Sequence, residues 1–364
     1  MRFAPVQKIL GILLMLFSLT MLPPLVVAWT DGGAGAAAFG EACAAIAGAG
    51  FLCWLPAARS REPLRLRQGF LVVALFWAVL GSAGATPLVL SGATALSVTD
   101  AVFESVSGLT TTGSTVIVGL DALPRSILFY RQELQWLGGM GIIVLAVAIL
   151  PMLGIGGMQL YRAETPGPVK DTKLTPRITE TAKVLWLVYA GLTVACGFAY
   201  WAGGMMPFDA VAYAFSTVST GGYAPHDASF GHFDSPLLEG IAVVFMILGG
   251  TNFSLHFMAL RRRSLVPYAA DAEFRAYLGV LLTVGLLTVA YLRFTGYFRG
   301  LGAALDHGLF QVVSITTSTG FTTASFAAWP LFLPVLLLFA SFIGGCASST
   351  AGGLKVIRVL LLLK

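Results

Sequence analysis

Charged side chains are scarce in this sequence of 364 residues: Asp, Glu, Lys and Arg make up 11% of it, against roughly 25% in an ordinary soluble domain. Four long runs, at 69–99, 134–161, 184–208 and 307–354, contain no charged residue. About 20 apolar residues are enough to cross a bilayer as a helix. The composition therefore excludes a soluble enzyme, a disordered chain and a nucleic-acid-binding protein. It also argues against an outer-membrane barrel, whose strands are shorter and alternate in polarity.

Cysteine and histidine are also scarce, with four residues of each. The cysteines lie in apolar stretches, and their spacing matches neither a metal site nor a disulfide framework. The sequence has no HExxH motif, and GGCASSTAGGLK (344–355) lacks the G-K-[ST] ending of a phosphate-binding loop. We therefore expect no enzymatic activity and no organic cofactor. The remote alternative is an intramembrane enzyme that uses Cys346 or Ser348, which would need a positioned base.

Hydrophobic runs predict eight membrane crossings. The first is too long for a cleaved signal peptide and is followed at once by a second apolar segment. The last is interrupted by glycine-rich sequence. The predicted crossings are 8–29, 33–57, 69–90, 134–158, 184–204, 236–259, 276–297 and 330–363.

Basic residues predict the orientation of these crossings. Most Lys and Arg residues lie near the N-terminus or in the linkers 57–68, 159–183 and 259–275. Because basic loops stay in the cytoplasm, the N-terminus is expected to be cytoplasmic. The outer side then carries more acids than bases, which would raise the local concentration of cations. A simple remainder of the positive-inside bias explains this acidity equally well.

A threefold internal repeat is centred on Gly113, Gly222 and Gly320. Each unit consists of a span, a semi-polar loop and a second span. The loops cover 98–116, 207–224 and 304–323. The recurring residues are a serine six positions before each glycine (Ser107, Ser216 and Ser314), an acid thirteen or fourteen positions before it (Asp100, Asp209 and Asp306), and a Gly-Gly pair about 25 positions after it (138–139, 249–250 and 344–345). Close packing of membrane helices explains the first two Gly-Gly pairs well, but not the repeated Ser/Thr-Gly pattern.

Such loops can bind a dehydrated cation. Irregular backbone at membrane depth must be buried in protein or line a water-filled cavity. Glycine accepts a positive φ, so consecutive carbonyl oxygens can face one axis and replace the hydration shell of an ion. We predict short helices at 99–108, 207–216 and 305–314 whose partially negative C-termini point toward the pore. The repeated hydroxyl groups would satisfy backbone groups behind each strand.

Four segments carry a resemblance to a known family. The segments FESVSGLTTTGSTVI (103–117), AFSTVSTGGYAPHDASFG (214–231) and FQVVSITTSTGFTTASF (310–326) resemble the first three pore loops of the TrkH family. This is the bacterial potassium-uptake branch of the Trk/Ktr/HKT superfamily. The segment WPLFLPVLLLFASFIGGCASSTAGGLKVIRVLLL (329–362) resembles the second span of its third unit, and the two leading spans favour TrkH over KtrB. The implied fold is an all-α polytopic membrane protein with repeated span–pore loop–span units around a pore and two extra N-terminal spans.

The resemblance also implies which residues act on the ion. A potassium filter formed mainly by backbone carbonyls would comprise Thr111, Thr112 and Gly113, then Thr220, Gly221 and Gly222, and then Ser318, Thr319 and Gly320. An intramembrane gate below the filter would comprise Gly344, Gly345, Cys346, Ala347, Ser348, Ser349, Thr350, Ala351, Gly352 and Gly353. The alternative interpretation of this segment is a tightly packed, kinked helix with no gating role. Lys355 is expected to extend its ammonium group toward the cytoplasm.

The implied function is potassium transport across the bacterial inner membrane. A sodium-permeable or sodium-coupled transporter is the alternative, because Thr, Ser and Gly alone do not fix selectivity. The implied partners are a second copy in a homodimer, a cytoplasmic TrkA-like nucleotide-binding regulatory subunit and the lipid bilayer.

The expected organisation is an N-terminal hairpin (1–60) and three units (61–160, 161–262 and 263–364). The family has four such units, and the fourth is not in this sequence: we expect either that the sequence is a fragment or that the fourth unit comes from elsewhere.

Overall fold

The fold was taken from a computed structural model, which describes residues 3–60, 66–139, 141, 178–330 and 332–363. Within these ranges all regular secondary structure is helical. The chain divides into two compact units. The first comprises residues 1–110 and 114–186, and the second comprises Thr111–Gly113 and Leu187–Lys364.

The first unit begins with a long apolar hairpin. Helices α1 (Ala4–Ser18) and α2 (Leu22–Thr30) join through a 3-10 turn and together form a 27-residue apolar stretch. Pro23-Pro24 lies in the first turn of α2, where a missing N–H costs little because it has no helical acceptor. Helix α3 (Ala36–Trp54) returns along α1.

Two glycines set the crossing of α1 and α3. A Cβ on Gly11 would lie 2.6 Å from the Trp54 nitrogen, and a Cβ on Gly50 would lie 2.8 Å from the Met15 nitrogen. Without side chains at these positions the two backbones come into direct contact, as small residues allow in membranes.

Four further helices of the first unit follow along the chain: α4 (Leu66–Ala83), α5 (Thr86–Leu90), α6 (Val98–Leu109) and α7 (Arg125–Gly139). Helix α6 is short, and Ser97 caps its N-terminus by accepting a hydrogen bond from the Asp100 N–H at 3.2 Å. It packs against α4 and α7, and the buried Tyr130 of α7 donates to the Gly84 carbonyl at 2.7 Å.

The second unit repeats this alternation of long and short helices. Helix α8 (Ile178–Ala202) begins in the first unit and continues into the second from Leu187. The other described helices of the second unit are α9 (Pro207–Val218), α10 (Pro236–Gly249), α11 (Phe253–Arg262), α12 (Val266–Ala270), α13 (Ala272–Phe294), α14 (Leu301–Thr316), α15 (Phe332–Ile343) and α16 (Val356–Leu362). An aromatic cluster joins the segments around α9 and α14: the Phe230 ring lies 4.7 Å from Tyr213 and 4.8 Å from Phe321.

Three predicted crossings need comment. The span 236–259 is wrong as one continuous helix, because α10 and α11 meet at 98°. The span 330–363 is two short helices with a non-helical segment between them, as its glycine content predicted. The span 134–158 lies outside the described residues beyond 141. Five described helices are long and apolar enough to cross a membrane, and the bent pair would be a sixth.

The Gly249-Gly250 pair explains the bend in the second unit. A Cβ on Gly249 would lie 3.0 Å from the Val218 carbonyl oxygen, and one on Gly250 would overlap the Tyr277 hydroxyl. The predicted packing role is therefore confirmed for this pair. The pair also ends α10, and Asn252 begins α11 by accepting the Ser254 N–H at 2.8 Å.

Candidate functional site

The three predicted short helices are present as α6, α9 and α14. Each ends two residues before its Ser/Thr-Gly triplet, at Leu109, Val218 and Thr316. The partially negative C-terminus of each helix therefore lies next to the triplet that follows it.

The three triplets, which we call the filter triplets, share one backbone conformation. The first residue of each is left-handed, with φ of 55° at Thr111, 52° at Thr220 and 57° at Ser318. The final glycines also have positive φ, at 78°, 80° and 88°. The middle residues are not in that region. Left-handed non-glycine residues are uncommon, so their recurrence at the same repeat position identifies a shared structural requirement. Alternation of handedness flips alternate peptide planes, which lets successive carbonyls face the same side.

All three filter triplets belong to the second compact unit, although the first is covalently flanked by the first unit. The second and third triplets are in close contact. A Cβ on Gly222 would overlap the Thr319 carbonyl oxygen, so only glycine fits at that point. Thr220 and Thr319 are buried.

Two of the three repeated serines, Ser107 and Ser314, hold the chain as it leaves the filter triplet. Ser107 Oγ donates to the Ser114 carbonyl at 2.6 Å, and Ser314 Oγ donates to the Phe321 carbonyl at 2.7 Å. In both loops the acceptor is the residue after the final glycine. The prediction that these hydroxyls satisfy backbone groups is confirmed for these two loops.

Several charges that the sequence assigned to an acidic outer side are buried. Glu104 and Glu133 are 1% and 6% exposed. Glu104 pairs with Arg131, with 2.8 Å between Nη2 and Oε1. Glu239 is also buried. These carboxylates do not contribute to an exposed acidic surface, which weakens the predicted cation-concentrating field.

Residues 344–355 form a non-helical loop between α15 and α16, which we call the intramembrane loop. Gly344, Ser348, Gly353 and Lys355 have positive φ. The alternative of a kinked helix is therefore wrong.

The intramembrane loop is hydrogen-bonded to the bend between α10 and α11. The Cys346 and Thr350 N–H groups donate to the carbonyls of Gly250 and Gly249 at 2.8 and 3.2 Å, and the Phe253 N–H donates to the Ser348 carbonyl at 3.1 Å. The bend exposes the backbone groups that these bonds require, since carbonyls at a helix end have no helical partner.

The same loop contacts the third filter triplet. The Gly352 N–H donates to Ser318 Oγ at 2.6 Å. A Cβ on Gly352 would lie 2.9 Å from that oxygen. Thr350 Oγ1 also donates to the Val218 carbonyl, at 2.9 Å, just before the second triplet. The predicted gate residues and filter residues are thus in direct contact.

Two charged side chains, Glu273 and Lys355, form hydrogen bonds to the backbone of the intramembrane loop. Glu273 of α13 accepts the N–H groups of Ala347 and Ile357 at 2.7 and 3.1 Å. Sequence reasoning missed Glu273; its only signal was an acid at the start of an apolar span. Lys355 was expected to extend toward the cytoplasm, but Nζ instead donates to the carbonyls of Ser349 and Ala351. Nearby unsatisfied loop carbonyls outcompete water for this ammonium group.

The histidines make bonds away from the candidate nucleophiles Cys346 and Ser348. His226 Nε2 lies 3.4 Å from an Asp209 carboxylate oxygen. His256 bonds Tyr268 and the Leu248 carbonyl, and His307 bonds Thr323.

The described residues contain five long apolar helices, a bent pair and a broken span, and the protein is an all-α polytopic membrane protein. The family model for TrkH, described as a cation transport protein, matches residues 36–364. The chain belongs to the TrkH family.

Related proteins and a solved structure agree with this family assignment. The chain is 56% identical over its whole length to the Trk system potassium uptake protein TrkH of Vibrio parahaemolyticus, of which it covers 75%. It is 53% identical to TrkH of Escherichia coli K12, with the same coverage, and 41% identical to TrkG of that strain over 99% of the chain and 74% of TrkG. The crystal structure of the potassium transporter TrkH from V. parahaemolyticus superposes with a TM-score of 0.89 at 51% identity, over all of this chain and 75% of that one. These relatives are transporters, so the alternative of an intramembrane enzyme is wrong.

Proposed function

We propose that this protein transports potassium across the bacterial inner membrane through a filter built from the three triplets 111–113, 220–222 and 318–320. The observation that carries the proposal is the left-handed first residue and left-handed glycine in all three triplets, within one compact unit. Carbonyls turned to one side in this way can replace the water of a monovalent cation.

We propose potassium and not sodium as the transported ion because the relatives are named potassium uptake proteins. The sodium-permeable or sodium-coupled alternative predicts equal or greater sodium flux, so a flux ratio separates the two.

In this proposal, residues 344–353 of the intramembrane loop act as the gate. Its bonds to Ser318 and to the Val218 carbonyl support a role beside the second and third filter triplets. The Cys346 and Thr350 N–H groups also bond to the carbonyls of Gly250 and Gly249, so movement of the loop would require these bonds to break.

The proposed organisation follows the repeat: a hairpin at 1–60 and three units at 61–160, 161–262 and 263–364. The N-terminus is cytoplasmic, and the exposed Arg261, Arg262 and Arg263 at the C-terminal end of α11 lie on that side. A homodimer and a cytoplasmic TrkA-like nucleotide-binding subunit are the proposed partners. Support comes from the naming of the relatives as members of a Trk system.

The full-length gene product, expressed in a bacterial strain that lacks potassium uptake, tests the proposal. Gly222→Ala should abolish rubidium uptake while the protein remains inserted, because its Cβ would overlap the Thr319 carbonyl oxygen. Gly240→Ala, a helical position with nothing within 4 Å of the new Cβ, is the matched control and should transport normally. Normal uptake by Gly222→Ala, or none by the parent protein, would rule out the proposed filter.

A further inference from the structure

The position nine residues before each final filter glycine is occupied by three different side chains: Glu104, Tyr213 and Gln311. All three are buried on the short helices. Each bonds to the chain beyond its triplet. Gln311 contacts the Phe321 carbonyl and the Thr323 N–H, both at 3.4 Å, and Tyr213 donates to the Ser229 carbonyl at 2.9 Å.

The first loop has the strongest attachment at this position. Glu104 accepts the Thr115 hydroxyl at 2.9 and 3.0 Å and the Val116 N–H at 3.1 Å. Arg131 of α7 donates through Nε to Glu104 Oε1 at 2.8 Å and through Nη2 to Thr115 Oγ1 at 3.0 Å. We call these three side chains, Glu104, Thr115 and Arg131, the ionic clamp.

The ionic clamp is buried: Glu104 and Arg131 are each 1% exposed. An ion pair taken out of water often stabilises a fold no better than apolar residues of the same size. Stability alone is therefore a weak reason to place one here. Its charge-assisted bonds are short and directional, and the Thr115 oxygen also accepts the Ile117 N–H at 3.1 Å. Together they fix the position of residues 115–117.

Residues 115–117 follow the first filter triplet directly. Ser107 holds the intervening Ser114 carbonyl from the same short helix. The third loop reaches its equivalent residues through 3.4 Å contacts of a neutral amide, so charge-assisted attachment distinguishes the first loop from the third.

We propose that Glu104 and Arg131 are positioning residues that hold the carbonyls of the first filter triplet at the spacing required for potassium, and so determine discrimination against sodium. This inference rests on the proposed function. The pair acts through the backbone of residues 114–117 and does not touch the ion.

The test measures rubidium and sodium fluxes of the full-length protein reconstituted in liposomes. Glu104→Gln keeps the shape and an acceptor but removes the charge, and should lower the rubidium-to-sodium flux ratio about tenfold, which corresponds to about 1.4 kcal/mol. Tyr130→Phe is the matched control. It removes a buried hydrogen bond from the residue next to Arg131, to the Gly84 carbonyl, and should leave the ratio unchanged.

A double variant separates positioning from folding. Arg131→Met alone leaves an uncompensated buried carboxylate and should reduce the amount of inserted protein. Glu104→Gln combined with Arg131→Met removes both charges and should restore insertion, but the flux ratio should stay low. A merely structural pair would give a restored ratio as well.

The outcomes distinguish the two proposals. A parent protein that prefers rubidium, with Glu104→Gln and the double variant at the parental ratio, would overturn the ionic clamp alone. A parent protein that carries no rubidium would overturn the proposed function and the inference together.

Discussion

At the residue scale, backbone handedness identifies the filter triplets more clearly than side-chain identity does. Thr111, Thr220 and Ser318 all adopt positive φ, a conformation that costs of order 1–3 kcal/mol for a non-glycine residue. The surrounding structure must over-determine such residues. In the third loop, one of the contacts that hold Ser318 in this conformation is the hydrogen bond from the Gly352 N–H to its hydroxyl. Ser318 therefore belongs to the proposed filter and also holds the proposed gate.

A prediction follows for Ser318. Ser318→Ala removes the acceptor of the Gly352 N–H, so the intramembrane loop should leave its position beside the filter more often. A hydrogen bond contributes ~1 kcal/mol, so basal rubidium flux should rise about fivefold. Ser341→Ala is the control, because that hydroxyl bonds only within its own helix, to the Leu338 carbonyl. Unchanged flux in liposomes would mean that this bond does not hold the gate closed.

At the element scale, pairs of glycines decide where helices meet and where they break. Gly11 and Gly50 bring α1 and α3 into backbone contact, and Gly249 and Gly250 end α10 and accept the intramembrane loop. The sequence predicted packing for the second pair, but the 98° bend depended on what the freed carbonyls could bind. A hydropathy plot has no signal for that.

The hairpin gives a stability prediction. Gly11→Ala places a methyl group 2.6 Å from the Trp54 nitrogen, so α1 and α3 must separate. The expected loss is roughly 1–3 kcal/mol, as for other overpacked sites, measured as a lower melting temperature in detergent. Gly48→Ala on α3 has open space around the new Cβ and should melt like the parent protein. Equal melting of the two variants would contradict the close crossing.

At the scale of the whole molecule, the distribution of Lys and Arg predicts the orientation of the protein in the membrane. Much of that argument depends on Arg162, Lys170, Lys173 and Arg177, which lie outside the described residues. The exposed Arg261–Arg263 cluster at the C-terminal end of α11 supports this argument from the described part of the chain.

Cysteine labelling tests the orientation. Thr30 and Arg262 are both exposed, at the ends of α2 and α11. A membrane-impermeant maleimide should label Thr30→Cys in intact cells, and Arg262→Cys only after permeabilisation. Native Cys196 and Cys346 are buried, and the parent protein measures the background from Cys43 and Cys53. The reverse pattern would place the N-terminus outside.

The sequence by itself determined the membrane class, the apolar spans, the short helices and the repeated glycines, because each of these depends on local composition and spacing along the chain. It also predicted the backbone-binding role of the hydroxyls of Ser107 and Ser314. Only the tertiary structure decided that Glu104 pairs with Arg131, 27 positions away. It also decided that Glu273 accepts N–H groups from the intramembrane loop and from α16, and that the Lys355 ammonium group bonds to loop carbonyls. Those outcomes depend on which buried polar groups find partners in three dimensions, since an unpaired charge in an apolar interior is costly, and no local pattern specifies the partner.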